Sequence, residues 1–134
     1  MSTYRLEIIT RDKVFFDEEV SEIVARGVEG DFAVLVNHSP LVTFLKIAPI
    51  KIYDSEKKLR EASLTGGLIK VNPEKVTILA EAAEWPEEID VERAKAAKER
   101  AEKRLSDNKY DIVRAEAALQ RALMRLNLSE KYNR

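Results

Sequence analysis

The spacing of apolar and polar positions changes its period once along the chain, close to residue 90. Before that point the pattern repeats every two residues. Tyr4, Leu6 and Ile8 alternate with Arg5, Glu7 and Ile9, as in a strand with one buried face. Val14-Phe15-Phe16 follows, and Asp17-Glu18-Glu19 predicts an acidic turn before extended chain resumes from Val20 to Ala25. Gly27 and Gly30 punctuate a turn, and the run Phe32 to Val36 is apolar enough for a strand buried on both faces. Asn37-His38-Ser39-Pro40 breaks the chain before Leu41 to Leu45 and Ile47 to Tyr53, and Asp54 to Lys58 reads as a hairpin tip. Leu59 to Thr65, Leu68 to Val71 and Val76 to Leu79 complete the set, divided by Gly66-Gly67 and Asn72-Pro73. Many short strands with regular turn signals predict a mainly β sandwich or flattened barrel.

After residue 90 the period is helical. Val91, Ala94, Ala97, Ala101 and Leu105 step by three or four along one face. Ser106-Asp107-Asn108-Lys109 carries turn formers and no apolar residue, so a tight reversal is expected there. Ile112, Ala115, Leu119, Ala122 and Leu126 then mark the apolar face of a second helix, and a short link favours an antiparallel hairpin. The first helix buries mainly Ala, so its packing is weak and the hairpin is expected to detach readily. The predicted boundary therefore gives a β domain over residues 1–86 and a two-helix domain over 87–134.

The join carries the most suggestive chemistry. Asp90 is placed as an N-cap, its carboxylate facing the unpaired N–H groups of the first turn, with Arg93 three residues on. Arg93 and Arg100 share a face of the first helix, and Arg121 and Arg125 share a face of the second. In an antiparallel hairpin Asp90 and Arg93 come near Arg121 and Arg125, with Arg100 further along. Converging guanidinium groups repel unless an anion lies among them, and they suit phosphate. The competing account is a well-capped helix with a solvated basic surface, laced by pairs such as Glu99–Lys103.

Charge sharpens this picture. Residues 1–89 carry 11 Lys and Arg against 16 Asp and Glu, and residues 90–134 carry 12 against 8, so a front at −5 and a rear at +4 give the net −1. A basic rear half seeks an anionic partner, either an acidic protein surface or a nucleotide. Nucleic acid fits poorly, because the basic faces lack aromatic residues. The 134-residue chain has no Cys, which excludes disulfides and thiolate chemistry. Neither a membrane-spanning apolar run nor a signal-peptide pattern is present, so a soluble intracellular protein is expected. His38 is the one histidine and reads as a turn residue; Gly66-Gly67 lacks the Lys-Ser/Thr of a phosphate loop. Glu87-Glu88 reads as solvated charge at a helix start. No catalytic residue emerges, and the chain is expected not to be an enzyme by itself.

Taken together, Ile89-Asp90-x-x-Arg93-Ala94 at the join, Asn37-His38-Ser39-Pro40-Leu41-Val42, Thr65-Gly66-Gly67-Leu68-Ile69-Lys70-Val71 and Val76-Thr77-Ile78-Leu79-Ala80 resemble the epsilon subunits of bacterial rotary (F-type) ATP synthases. The resemblance runs nearly the full length, and Arg93 to Glu102 is similar to the form in thermophilic bacilli and their relatives. It implies a β-sandwich that docks on the gamma subunit and the membrane rotor c-ring, and a mobile hairpin behind it. Extended, the basic helices would engage acidic segments of catalytic beta subunits and inhibit ATP hydrolysis; folded, they would hold ATP as a regulatory ligand. The resemblance carries the ATP site onto Glu84, Ile89, Asp90, Arg93, Ala94, Arg100, Arg121 and Arg125, with Mg²⁺ at Asp90 as a further expectation. It also implies proton coupling and a peripheral place on the cytoplasmic face of the cell membrane.

Two departures from the family pattern stand out. Phe32-Ala33-Val34-Leu35-Val36-Asn37 replaces the frequent Leu-Gly-Ile-Leu-Pro-Gly, and Trp85-Pro86 stiffens the join. The rival reading is a constitutive structural adaptor between shaft and ring, whose arginines serve only protein contacts.

Overall fold

A computed structural model describes residues 2–133. The chain divides into two compact units, Met1–Ala83 and Glu84–Arg134.

The first unit is built on six strands: β1 (Tyr4–Ile9), β2 (Val14–Gly27), β3 (Gly30–Leu35), β4 (Leu41–Asp54), β5 (Leu59–Val71) and β6 (Lys75–Ala80). Pairing runs β1-β6-β5-β4-β2, and β1 also pairs with β2, so five strands close on themselves. Among these six strands β1 and β6 pair in parallel, and the other pairings are antiparallel. The fold class is the mainly β unit followed by helices that the alternation pattern predicts. Leu6, Ile8, Val20, Ile23, Ile50, Ile52, Ile69 and Ile78 fill the interior, each at most 1 % exposed. Tyr4 joins them and donates its hydroxyl to the Val34 carbonyl oxygen at 2.7 Å, and burial pushes that phenol above its usual range.

Three local expectations are corrected. The acidic stretch Asp17-Glu18-Glu19 is not a turn: it lies within β2, paired with Glu7, Leu6 and Arg5 of β1. Cross-strand hydrogen bonding, aided by the 2.7 Å ion pair of Arg5 Nε with Asp17 Oδ1, outweighs the turn preference of the acidic side chains. The run Phe32 to Val36 is not buried on both faces, because β3 pairs with β2 alone and forms an edge; Val34 is buried while Leu35 is 54 % exposed. Finally, Gly66-Gly67 does not divide two strands, and β4 likewise runs unbroken through Lys46. Strand β5 continues through both glycines, because Gly67 approaches β6 so closely that a Cβ there would stand 2.3 Å from the Leu79 carbonyl oxygen.

The turns at either end of β4 fall where expected. Asn37 adopts a left-handed conformation after β3. Asp54 Oδ1 accepts from the backbone N–H of Glu56 and Lys58, at 2.8 and 2.9 Å, closing the hairpin tip around Lys57.

The second unit comprises a 3₁₀ turn (Pro86–Glu88), α1 (Val91–Leu105) and α2 (Ile112–Tyr132). The reversal falls at 106–111, where the turn formers cluster. Ser106 Oγ donates to the Lys103 carbonyl oxygen at 2.8 Å and closes α1. Helix α2 is capped by Asp111, whose Oδ1 accepts from Val113 N at 2.9 Å. Ala94 and Ala101 of α1 and Ala115 and Ala122 of α2 are buried, as the periodicity indicates. Ile112 is the exception on the second face: it is 56 % exposed, because it sits in the first turn next to the reversal. Met124 and Leu128 are buried on a further face of α2, which also packs against the Pro86–Glu88 turn.

Candidate functional site

The residues that begin the second unit are held by three local contacts. Trp85 N donates to Glu88 Oε1 at 2.9 Å, Glu88 N donates to the Trp85 carbonyl oxygen at 2.9 Å, and Ile89 N donates to the Pro86 carbonyl oxygen at 3.3 Å. Proline at the first position suits this turn, since its missing N–H would have had no partner there. The turn delivers Asp90 to the N-cap of α1, where Oδ1 accepts from Arg93 N at 3.0 Å. Ile89 and Ala94 are buried on either side of the cap, while Asp90 and Arg93 are exposed.

Helical geometry sorts the remaining side chains onto two flanks. Val91, Lys95 and Lys98 of α1 line one groove together with Leu123, Leu126, Asn127 and Glu130 of α2. At about 100° per residue, Arg93 and Arg100 point away from that groove on α1. Arg121 and Arg125 do the same on α2, so all four arginines occupy the opposite flank. In an antiparallel hairpin the start of α1 lies near the end of α2, so Arg93 and Arg100 run along the same flank as Arg125 and Arg121. Arg93 and Arg100 lie about 10 Å apart along the axis of α1.

Arg121 and Arg125 are half-buried, Arg93 and Arg100 exposed. Among the described residues, only Arg125 of the four is matched by a carboxylate: its Nε donates to Glu84 Oε1 at 2.7 Å. The pair spans 41 positions of sequence and ties the start of the unit to α2. Three further guanidinium groups on the same flank leave a local excess of positive charge. The arrangement suits a polyanion.

Among the described residues no three His, Asp or Glu side chains gather into a metal-binding group. Mg²⁺ would find one carboxylate at this flank start, Asp90, whose Oδ1 already serves the helix cap.

In the first unit a row of apolar side chains crosses three strands on the outer surface, Phe44 beside Leu68 and Leu68 beside Leu79. Phe44 is 66 % exposed and Leu79 50 %, and both line a surface depression of about 660 Å³ with Ile9 and Leu68. An exposed apolar row of this kind suits a contact with a partner or an apolar ligand. His38 lies in the turn before β4 with its Nδ1 2.7 Å from the Ser39 carbonyl oxygen, as a turn residue would.

Sequence reasoning missed the Asp111 cap, although an Asp directly before an apolar helical repeat is the signal for one. It also missed the direct Glu84–Arg125 pairing, for which no local pattern exists.

A closed β unit followed by a capped, basic helical hairpin defines a two-unit β-plus-hairpin class of protein. Comparison with known proteins fits that class. Residues 3–86 match the family model described as ATP synthase, Delta/Epsilon chain, beta-sandwich domain, and residues 87–130 match its long alpha-helix domain. The sodium ion specific ATP synthase epsilon chain of Acetobacterium woodii is 48 % identical over 109 residues, covering 81 % of this chain and 82 % of that one. The epsilon chain of Brevibacillus brevis is 47 % identical over 107 residues, covering 80 % and 81 %. Among solved structures, a chain of the Euglena gracilis mitochondrial ATP synthase (OSCP, F1 and c-ring) superposes with a TM-score of 0.80 at 25 % identity, covering all of this chain and 83 % of that one. The chain therefore belongs to the ATP synthase delta/epsilon family, as an epsilon-type, non-catalytic subunit of the central stalk.

Proposed function

We propose that this subunit couples ion flow to ATP synthesis as part of the rotor and that its hairpin is an ATP-responsive brake on hydrolysis. The sandwich docks on the gamma subunit through the Phe44–Leu68–Leu79 row and sits against the c-ring. As part of the rotor it is attached peripherally at the cytoplasmic face of the membrane; among the described residues no helix is long and apolar enough to cross a bilayer. Protons are the coupled ion in this reading. The Acetobacterium relative is named sodium ion specific, and ATP synthesis by the assembled complex under a proton or a sodium gradient separates the two.

The observation that carries the nucleotide reading is the arginine flank: four guanidinium groups on one side of the hairpin, of which Arg125 is paired with Glu84. The triphosphate lies among Arg93, Arg100, Arg121 and Arg125. Ile89, Asp90 and Ala94 form the capped helix start beside it, and Mg²⁺ enters only with the phosphates. ATP stabilises the folded hairpin by its differential affinity for that state. The extended hairpin offers the same arginines to acidic surfaces of catalytic beta subunits. The test is ATP binding by the intact chain and by Arg93→Ala. Loss of binding in the variant supports the site, and equal binding refutes it.

The adaptor reading draws on a specific feature, the hydrogen-bonded turn from Trp85 to Ile89, which stiffens the join. Deleting residues 90–134 decides between the two. An adaptor leaves hydrolysis by the assembled complex unchanged, whereas a brake releases it.

A further inference from the structure

At the reversal between α1 and α2 the hairpin carries an apolar cluster that packing does not explain. Tyr110, Ile112 and Val113 lie within four positions of one another and are 48 %, 56 % and 74 % exposed. Val113 is more exposed than any other large apolar side chain among the described residues. Helix formation does not call for these side chains either, because β-branched residues lose rotamer freedom in a helix and gain nothing there when unburied. The surroundings are basic. Lys103, Lys109 and Arg114 are exposed, and the Arg104 guanidinium stands over the Tyr110 ring, 5.2 Å from its centre. Residues 103–114 carry four Lys and Arg against two Asp, a balance of +2. Both acids are turned to the backbone: Asp107 Oδ1 accepts from Lys109 N at 3.0 Å, and Asp111 Oδ1 accepts from Val113 N at 2.9 Å.

Size decides what can cover the cluster. A helix with its side chains is about 10 Å across, so the end of two adjacent helices offers a footprint of about 200 Å². A stable protein contact buries about 800 Å² on each partner. An interfacial contact with a bilayer needs only a few apolar side chains in the headgroup layer and basic groups beside them. We infer that the tip of the hairpin is a reversible anchor for an anionic membrane surface. Tyr110, Ile112 and Val113 enter the headgroup layer, where the ring of a tyrosine suits the boundary between apolar and wet surroundings. Lys103, Arg104, Lys109 and Arg114 face the lipid phosphates, each basic group near the surface strengthening attachment about fivefold. Attachment by one such tip is weak and reversible. It draws on none of the residues of the nucleotide reading.

The experiment is co-sedimentation of the full chain with vesicles of phosphatidylglycerol and phosphatidylcholine in equal parts, and with vesicles of phosphatidylcholine alone. The parent, Ile112→Ser/Val113→Ser and Lys103→Gln/Lys109→Gln are compared. The parent is expected to bind the anionic vesicles and not the neutral ones. Loss of the two aliphatic side chains should weaken binding about tenfold, and loss of the two lysines about 25-fold. Added salt should weaken the parent while leaving the lysine variant less affected. All four positions are exposed, so helix content by circular dichroism stays unchanged and separates lost binding from lost folding. A parent that ignores anionic vesicles would overturn the anchor. So would anionic-vesicle binding that is equal in Ile112→Ser/Val113→Ser, which would put the lipid contact elsewhere on the chain. A parent that ignores vesicles but docks on the purified ATP synthase less tightly in the tip variants would overturn the lipid assignment in favour of a protein contact.

Discussion

Gly67→Ala should unfold the β unit far more readily than any neighbouring glycine substitution. At Gly67 a methyl group would stand 2.3 Å from the Leu79 carbonyl oxygen and 3.0 Å from the Ala80 Cα, both backbone atoms of β6. Neither can rotate away, so the strands must separate locally, and the pairing of Gly67 with Ala80 is what separates. Overpacking of this kind costs about 1–3 kcal/mol. For a unit of this size each kcal/mol lowers the midpoint by about 4–8 °C, so the clash alone, at a central cost of about 2 kcal/mol, gives a drop of about 8–16 °C, to which the φ of +154° at Gly67 adds backbone strain. Gly30 supplies the control: its φ of +123° is strained for alanine, but nothing lies within 4 Å of its Cβ position. Gly30→Ala should therefore lose only about 1 kcal/mol, from the backbone term alone. Thermal unfolding followed by circular dichroism, with Trp85 fluorescence to mark the second unit, reads both. A Gly67→Ala midpoint within 2 °C of the parent, or below the drop for Gly30→Ala only by scatter, would refute the close approach of β5 and β6.

Two more perturbations have signs fixed by the structure. Asp90→Ala removes the acceptor for Arg93 N and should destabilise α1 by about 1 kcal/mol; amide exchange across Val91–Ala97 should quicken, while Asp111→Ala should do the same for the first turn of α2. The Arg5 and Arg26 guanidinium groups, hydrogen-bonded to Asp17 and Asp31, hold those carboxyls below their ordinary 3.8. A depressed folded-state value means the contribution is complete above the unfolded value and is lost as pH falls through the folded one. Denaturant unfolding of the sandwich should be flat in these two groups above about pH 5 and decline below 3.8. Asp17→Asn/Asp31→Asn should decline less steeply over that range, and high salt should shrink the difference because both pairs are exposed.

What the sequence revealed depended on how local each cause is. The change of period at residue 90 marked the helices, since Ala94, Ala97 and Ala101 must share a face whatever else surrounds them. The cap at Asp90 was legible because its acceptor and donor lie three residues apart. Asp17-Glu18-Glu19 misled because its conformation is set by pairing with β1, twelve residues earlier for Arg5 and Asp17. Leu35 misled because apolar content does not reveal which strand ends the sheet. The Glu84–Arg125 contact was out of reach altogether, since it depends on how the Pro86–Glu88 turn meets α2. Its two residues could be nominated by family resemblance, but not joined.

The arginine flank shows the same division. Spacing places Arg93 with Arg100 and Arg121 with Arg125, and the lining of the opposite groove shows that both pairs share one side of the hairpin. The central claim is that this side binds ATP. Calorimetric titration of the intact chain with ATP and with ADP, each with and without Mg²⁺, tests it most directly. Saturable binding that favours ATP is expected, with one nucleotide per chain and a large loss in Arg93→Ala. Titrations flat for both nucleotides, or unchanged in Arg93→Ala, would contradict it and leave the arginines as contacts for an acidic protein surface.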